Sequence, residues 1–257
     1  MLLTLPQEAL NEVVAHLYGE ERALQSLSLV HSRLTDECRR YLFASVRIDS
    51  ETKLLRWFDT IPPGKDGLSR YVRLLDMDAL PGESATIPIL LRNNPPHLRS
   101  FTQLEHLRVR PLDFVPYADR ELVRCFDHFP NVRSVSIQPK GSGSTVLDFL
   151  ALFPLLETTV ITAPSLSRGP EVAHPLNLVC RGDLVLKTCS INYAESIFSC
   201  LARATTCYRR LALGLVTVFD FSSLERFFES CSGSLESLQL INCFIRESQV
   251  SRRVASR

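Results

Sequence analysis

Apolar residues recur along this chain with two different periods. Over the first 45 residues the spacing is helical. Leu10, Val13, Val14 and Leu17 fall at i, i+3, i+4 and i+7, one face of a helix that starts at Thr4-Leu5-Pro6-Gln7 and stops at Gly19. Pro suits the first turn, and Thr4 with Gln7 has the spacing of a capping box. Leu24, Leu27 and Val30 predict a second helix. Leu34, Cys38, Tyr41 and Leu42 predict a third, with Asp36 and Arg40 at an i, i+4 ion-pair spacing. Three helices in about 40 residues are near the lower limit for independent stability, so the module is expected to lean on a neighbouring domain or a partner.

Further on, short alternating segments take over. Leu235-x-x-Leu238-x-Leu240-x-x-Cys243-x-Ile245 has the form LxxLxLxxCxI. The same frame occurs at Leu184-x-Leu186-x-x-Cys189-x-Ile191 and at Tyr208-x-x-Leu211-x-Leu213-x-x-Val216-x-Val218. These three copies are spaced 27 residues apart. Leu104-x-x-Leu107-x-Val109 and Val132-x-x-Val135-x-Ile137 carry its core 28 residues apart. Leu156-x-x-Thr159-x-Ile161 is a degenerate copy, and Val72-x-x-Leu75-x-Met77 is a candidate first one. Helical patterns lie between them: Leu122, Val123, Phe126 and Phe129; Val146, Leu147, Leu150 and Phe153; Ala194, Ile197, Phe198 and Leu201; Leu224, Phe227, Phe228 and Cys231. One strand and one helix per repeat cannot bury an apolar face alone, so such units stack. A generic α/β sheet of short strand–helix units is the competing architecture.

Composition narrows the function. With 29 basic against 28 acidic residues the net charge is +1, which argues against a globally basic nucleic-acid binder or a polybasic membrane protein. No apolar run approaches the roughly 20 residues that span a bilayer. The start, MLLTLPQEAL, has no basic region before its apolar residues, so neither an export signal nor a membrane anchor is expected, and the reading is intracellular. The eight cysteines form no CxxC pair and are expected to stay reduced, mostly as buried small hydrophobes.

Chemistry has little support. The six histidines form no HExxH, no GxSxG elbow occurs, and the glycines of 64–67 and 140–144 do not make a phosphate-binding loop. No catalytic residue, metal or cofactor is expected. His106, Arg108 and Arg110 alternate with Leu107 and Val109 and so share one strand face. They are either a solvated face or part of a surface for an acidic or phosphorylated segment.

The N-terminal motifs resemble a known family. Leu5-Pro6-x-Glu8-x-Leu10, Val13-Val14, Ser26-Leu27-Ser28-Leu29-Val30 and Arg40-x-Leu42-Phe43 are similar, in order and spacing, to a fungal-type F-box. Leu34 departs from the pattern, standing where such modules often carry an aromatic residue. A generic three-helix cap is the plainer alternative. The repeats resemble the irregular leucine-rich repeats that follow many F-boxes, with Cys189 and Cys243 at the repeat's Asn/Cys position.

The resemblance implies an α/β chain: a three-helix F-box at 1–45, a linker at 46–67, a curved leucine-rich-repeat solenoid at 68–245 and a polar tail at 246–257. It implies a non-catalytic, substrate-recruiting subunit of a Skp–cullin–F-box ubiquitin ligase. Leu5, Pro6, Leu10, Val14, Leu27 and Val30 would face the Skp adaptor or support the residues that do, and a cullin would join through that adaptor. The repeats would hold an unknown protein target, with His106, Arg108, Arg110, Ser134, Ser136, Gln138, Lys187, Gln239 and Ile241 lining the concave face. Charge reversal at Arg108 and Arg110 is expected to leave stability largely unchanged. Two alternatives stand beside this: a repeat scaffold outside any ubiquitin ligase, and an enzyme on an α/β scaffold.

Overall fold

The computed structural model describes residues 5–64, 67–78, 93–113, 126–140, 143–162, 179–187, 197–199, 201–202, 205–214, 217–218, 221–241 and 244–245. Pro6, at φ −54° and ψ 152°, stands immediately before helix α1 (Gln7–His16), and Gly19 at φ +92° lies beyond its end. α2 (Glu21–Val30) and α3 (Ser32–Leu42) follow. His31 caps α3, its Nδ1 accepting from the Arg33 N–H at 3.1 Å. Leu10, Val14, Leu24, Leu34 and Cys38 bury against one another as a small separate core.

Two local expectations change here. Thr4 lies outside the described residues, and the Gln7 side-chain amide donates to Asn11 Oδ1 at 2.8 Å and to the Arg33 carbonyl at 3.1 Å. The expected Asp36–Arg40 pair gives way to Arg40–Glu37 at 3.2 Å, while Asp36 accepts from the Tyr71 hydroxyl at 2.8 Å. An exposed i, i+4 pair is worth only about 0.3–0.5 kcal/mol, so a donor held in place by the fold displaces it easily. Tyr71 is such a donor, nearly buried in a 3-10 turn (Leu68–Tyr71), and its bond ties α3 to the remainder of the chain.

Residues 46–67, expected as a linker, hold strand β1 (Ser45–Ile48) and helix α4 (Glu51–Thr60). The Ser50 hydroxyl starts α4 by accepting from the Lys53 N–H at 3.3 Å. Strands β2 (Leu74–Asp78), β3 (His106–Asp113), β4 (Ser134–Lys140), β5 (Thr158–Thr162), β6 (Val179–Lys187) and β7 (Thr205–Gly214) follow. Helices α5 (Pro95–Arg99) and α6 (Gly143–Leu150) lie among them. The short β8 (Thr217–Val218), helix α7 (Phe221–Cys231), β9 (Ser237–Ile241) and β10 (Phe244–Ile245) complete the order.

The sheet has eight parallel strands in the order β1-β2-β3-β4-β5-β6-β7-β9, each beside its predecessor; β8 pairs separately with β10. The register follows the spacing of the sequence repeat. Leu75, Leu107, Val135, Thr159, Leu184, Leu211 and Leu238 stand in one row, and Met77, Val109, Ile137, Ile161, Leu186, Leu213 and Leu240 in the next. Val46 and Ile48 of β1 extend both rows by one strand. The strand starts repeat as well. The carbonyls of Ala44, Arg73, Glu105 and Arg133 each accept from two successive N–H groups at the start of the next strand, at 2.8–3.0 Å.

Both rows point into one core shared with Leu54 and Phe58 of α4, Leu98 of α5, Val146, Leu147 and Phe149 of α6, and Leu224 and Phe227 of α7. The helices therefore cover a single face of the sheet. Aromatic rings link successive units: Trp57 stacks on Phe101, Phe101 meets Phe129 edge-on, and Phe126 meets Phe149 edge-on at 5.1 Å between centroids. Each such pair adds about 0.5–1.5 kcal/mol beyond the area it buries. At the last strand the cover ends: Leu238 and Leu240 are 45% and 52% exposed although they continue the core rows.

Candidate interaction surfaces

The three-helix module separates its apolar residues into two sets. Leu10 and Val14 are fully buried in its own core and Leu27 packs against that core, so these three support the module and do not face outward. Leu5, Pro6 and Val30 are exposed, Val30 at 65%. Leu29, absent from the expected set, is the most exposed large apolar residue described, at 87%. A helical wheel holds its signal: Leu29 is five residues, about 140°, from Leu24 and so lies off the buried stripe. The Arg33 guanidinium donates to the Leu5 carbonyl at 3.1 Å and so ties the residues before α1 to the start of α3. Val13 and Tyr18 are also exposed.

The second surface is the face of the sheet that no described helix covers. His106, Arg108 and Arg110 share it with Ser134, Ser136 and Gln138, and Lys187, Gln239 and Ile241 lie on it toward the far edge. Its β1–β3 end carries a charge network that local spacing does not reveal. Arg47 meets Asp78 at 2.9 Å, and Arg110 meets Asp76 at 3.2 Å and Asp78 at 3.8 Å. Arg108 only grazes Asp76, at 4.0 Å. The Asp76 side chain is just 11% exposed in spite of its outward position. Arg110 is thus engaged within the fold, whereas Arg108, half exposed, stands toward solvent.

Comparison with protein-family models and with curated proteins returns no match for this chain.

Among the described residues, no three His, Cys, Asp or Glu side chains gather so that they could hold a metal ion. None of the described helices is long and apolar enough to cross a membrane. An open groove of about 1060 Å³ runs along the starts of β6, β7 and β9, lined by Arg181, Gly182, Asp183, Cys207, Arg209 and Glu236 among others. Cys207 is exposed there, contrary to the expectation for the cysteines. Cys38 and Cys231 are buried as expected, and burial pushes both thiols above their ordinary range. Cys189 and Cys243 lie outside the described residues.

Proposed function

We propose that this chain is a non-catalytic substrate-recruiting subunit of a Skp–cullin–F-box ubiquitin ligase. In this reading α1–α3 form the F-box that docks the Skp adaptor. The sheet and its helices form a leucine-rich-repeat solenoid in which the face that no described helix covers holds the target. Such a subunit accelerates transfer by proximity, raising the effective concentration of a target lysine near a charged ubiquitin carrier.

The observation that carries the reading is a helical module with its own closed core that still exposes the adjacent Leu29 and Val30 at the end of α2. Exposed apolar side chains grouped in this way mark protein interfaces. The sequential parallel order, a register whose successive row residues are 24 to 32 positions apart, and the one-sided core support the solenoid.

The test is adaptor capture by the full chain and by a Leu29→Asp/Val30→Asp variant. Exposed substitutions usually change stability by under about 0.5 kcal/mol each, so circular dichroism and melting should stay close to the parent. Capture of a recombinant Skp adaptor should fall at least tenfold. Undiminished capture would refute the assigned docking surface. A parent chain that captures no adaptor at all would favour a repeat scaffold outside any ubiquitin ligase.

A further inference from the structure

Outward charges on the sheet are unequal. Arg47, Arg108, Arg110, Lys187 and Arg210 face the side that no described helix covers. Among the described outward residues of the strands, only Asp76, Asp78 and Asp183 oppose them. Each of these carboxylates already has a close arginine: Arg47 for Asp78 at 2.9 Å, Arg110 for Asp76 at 3.2 Å and Arg210 for Asp183 at 2.6 Å. Arg108 is left with the outer limit of an ion pair, 4.0 Å from an oxygen of Asp76, and half of its side chain is in solvent. Its neighbour across the sheet is Ser136, and His106 and Ser134 form the adjacent pair. A half-solvated guanidinium beside two hydroxyl-bearing strand positions is suited to an incoming carboxylate.

The same row changes character toward the other edge. After Arg108 and Ser136 come Val160, Val185 and Ala212, half-buried on a face that is otherwise mostly polar. Strands lie about 4.8 Å apart, so Arg108 on β3 and Val185 on β6 are about 14 Å apart across three strand spacings. An extended chain covers that distance in about four residues, and its residues i and i+4 point to the same side.

We infer that the sheet face no described helix covers reads an extended protein segment that crosses the strands, with an Asp or Glu over Arg108 and an aliphatic side chain four residues away over Val185. The inference rests on the recruiting role proposed above and specifies the class of target for that role. Arg110 acts as a positioning residue: by occupying Asp76 it leaves Arg108 available.

The test is selection of a phage-displayed library of random linear dodecapeptides on the full chain. Enriched peptides should carry Asp or Glu with Leu, Ile or Val four positions away. Arg108→Glu should weaken the selected peptides about ten- to hundredfold. Selection on that variant should move the preference at the same position to Lys or Arg. Arg108→Gln, which adds no negative charge beside Asp76, should show the same weakening and guards against a folding defect. Absence of acidic enrichment, binders indifferent to both variants, or displacement of the peptides by a single-stranded oligonucleotide would overturn the inference. Adaptor capture is read separately. Capture without acidic peptide preference defeats this inference alone, and loss of capture with acidic preference retained defeats the ligase role alone.

Discussion

Asp76→Ala isolates the charge network. Asp76 faces outward, yet its side chain is only 11% exposed and Arg110 stands 3.2 Å away. At that distance and an effective dielectric of about 20, the gross attraction is about 5 kcal/mol. Desolvation of both groups offsets most of it, leaving about 1–3 kcal/mol of coupling, within the range of about 0.5–3 kcal/mol found for contacting residues in one network. The Arg108 contact, at 4.0 Å and half in solvent, has a gross attraction of only about 1 kcal/mol at the dielectric of water and about 0–1 kcal/mol net. Two double-mutant cycles by equilibrium urea denaturation separate the cases. The cycle of Asp76→Ala with Arg110→Ala should give about 1–3 kcal/mol, and that with Arg108→Ala under about 0.5 kcal/mol. Arg110→Ala alone should destabilise more than Arg108→Ala, because it removes the close counter-charge of a mostly buried carboxylate. Couplings below about 0.5 kcal/mol in both cycles would show that both contacts are ordinary surface pairs and that Asp76 organises nothing.

Gly182 and Gly19 both have positive φ, but they differ in surroundings. A Cβ at Gly182 would lie 2.0 Å from the Glu157 carbonyl oxygen, whereas one at Gly19 meets nothing within 4 Å. Gly182→Ala should therefore cost on the order of 2–5 kcal/mol and Gly19→Ala about 1 kcal/mol in urea denaturation; equal costs would mean the close approach at β5–β6 is absent. Tyr71→Phe removes the 2.8 Å bond to Asp36 and should cost about 1 kcal/mol. Hydrogen exchange should then speed up in α1–α3 and not in β3–β5, and a uniform change would contradict the proposed tie. Burial holds the His97 pKa below its ordinary value, opposed by its bond to the Ile61 backbone and by Asp59. The folded state thus favours the neutral ring, so this contribution is present above the ordinary pKa and is lost as pH falls through the folded one. Stability should drop as pH falls below the ordinary histidine range, with a smaller drop in His97→Gln; identical slopes would assign the dependence elsewhere.

Sequence periodicity carried far in this chain because a strand with one buried face has a period of two, and slipping it by one residue would expose all its apolar side chains. That constraint makes Leu184, Leu211 and Leu238 predict one another's register. It also places Arg108 and Ser136 on the same outward face. The first helices were legible for a similar reason, since Leu10, Val14 and Leu24 have no other way to bury in so short a segment. The candidate sites were only half legible. The pattern placed Arg108 and Arg110 side by side as equals and grouped Leu10 with Leu5, because alternation and helical spacing report which face a residue is on but not what lies across from it.

What remained belongs to tertiary structure. β1 is four residues long and carries one buried face, Val46 and Ile48, too short a signal to distinguish from a linker until β2 lies beside it. The choice of Tyr71 over Arg40 as the partner of Asp36, and of Asp76 as the hub for Arg110, joins residues 35 and 34 positions apart. The Asp76 pair forms because strand stacking brings the groups together at low solvent exposure, where a charge without a partner is costly. Asp36, in contrast, is mostly exposed and meets Tyr71 because the 3-10 turn packs beside α3. Local spacing decided which side of each element is buried. Only the stacked sheet decided which exposed charges neutralise one another and which, like Arg108, stay turned toward solvent.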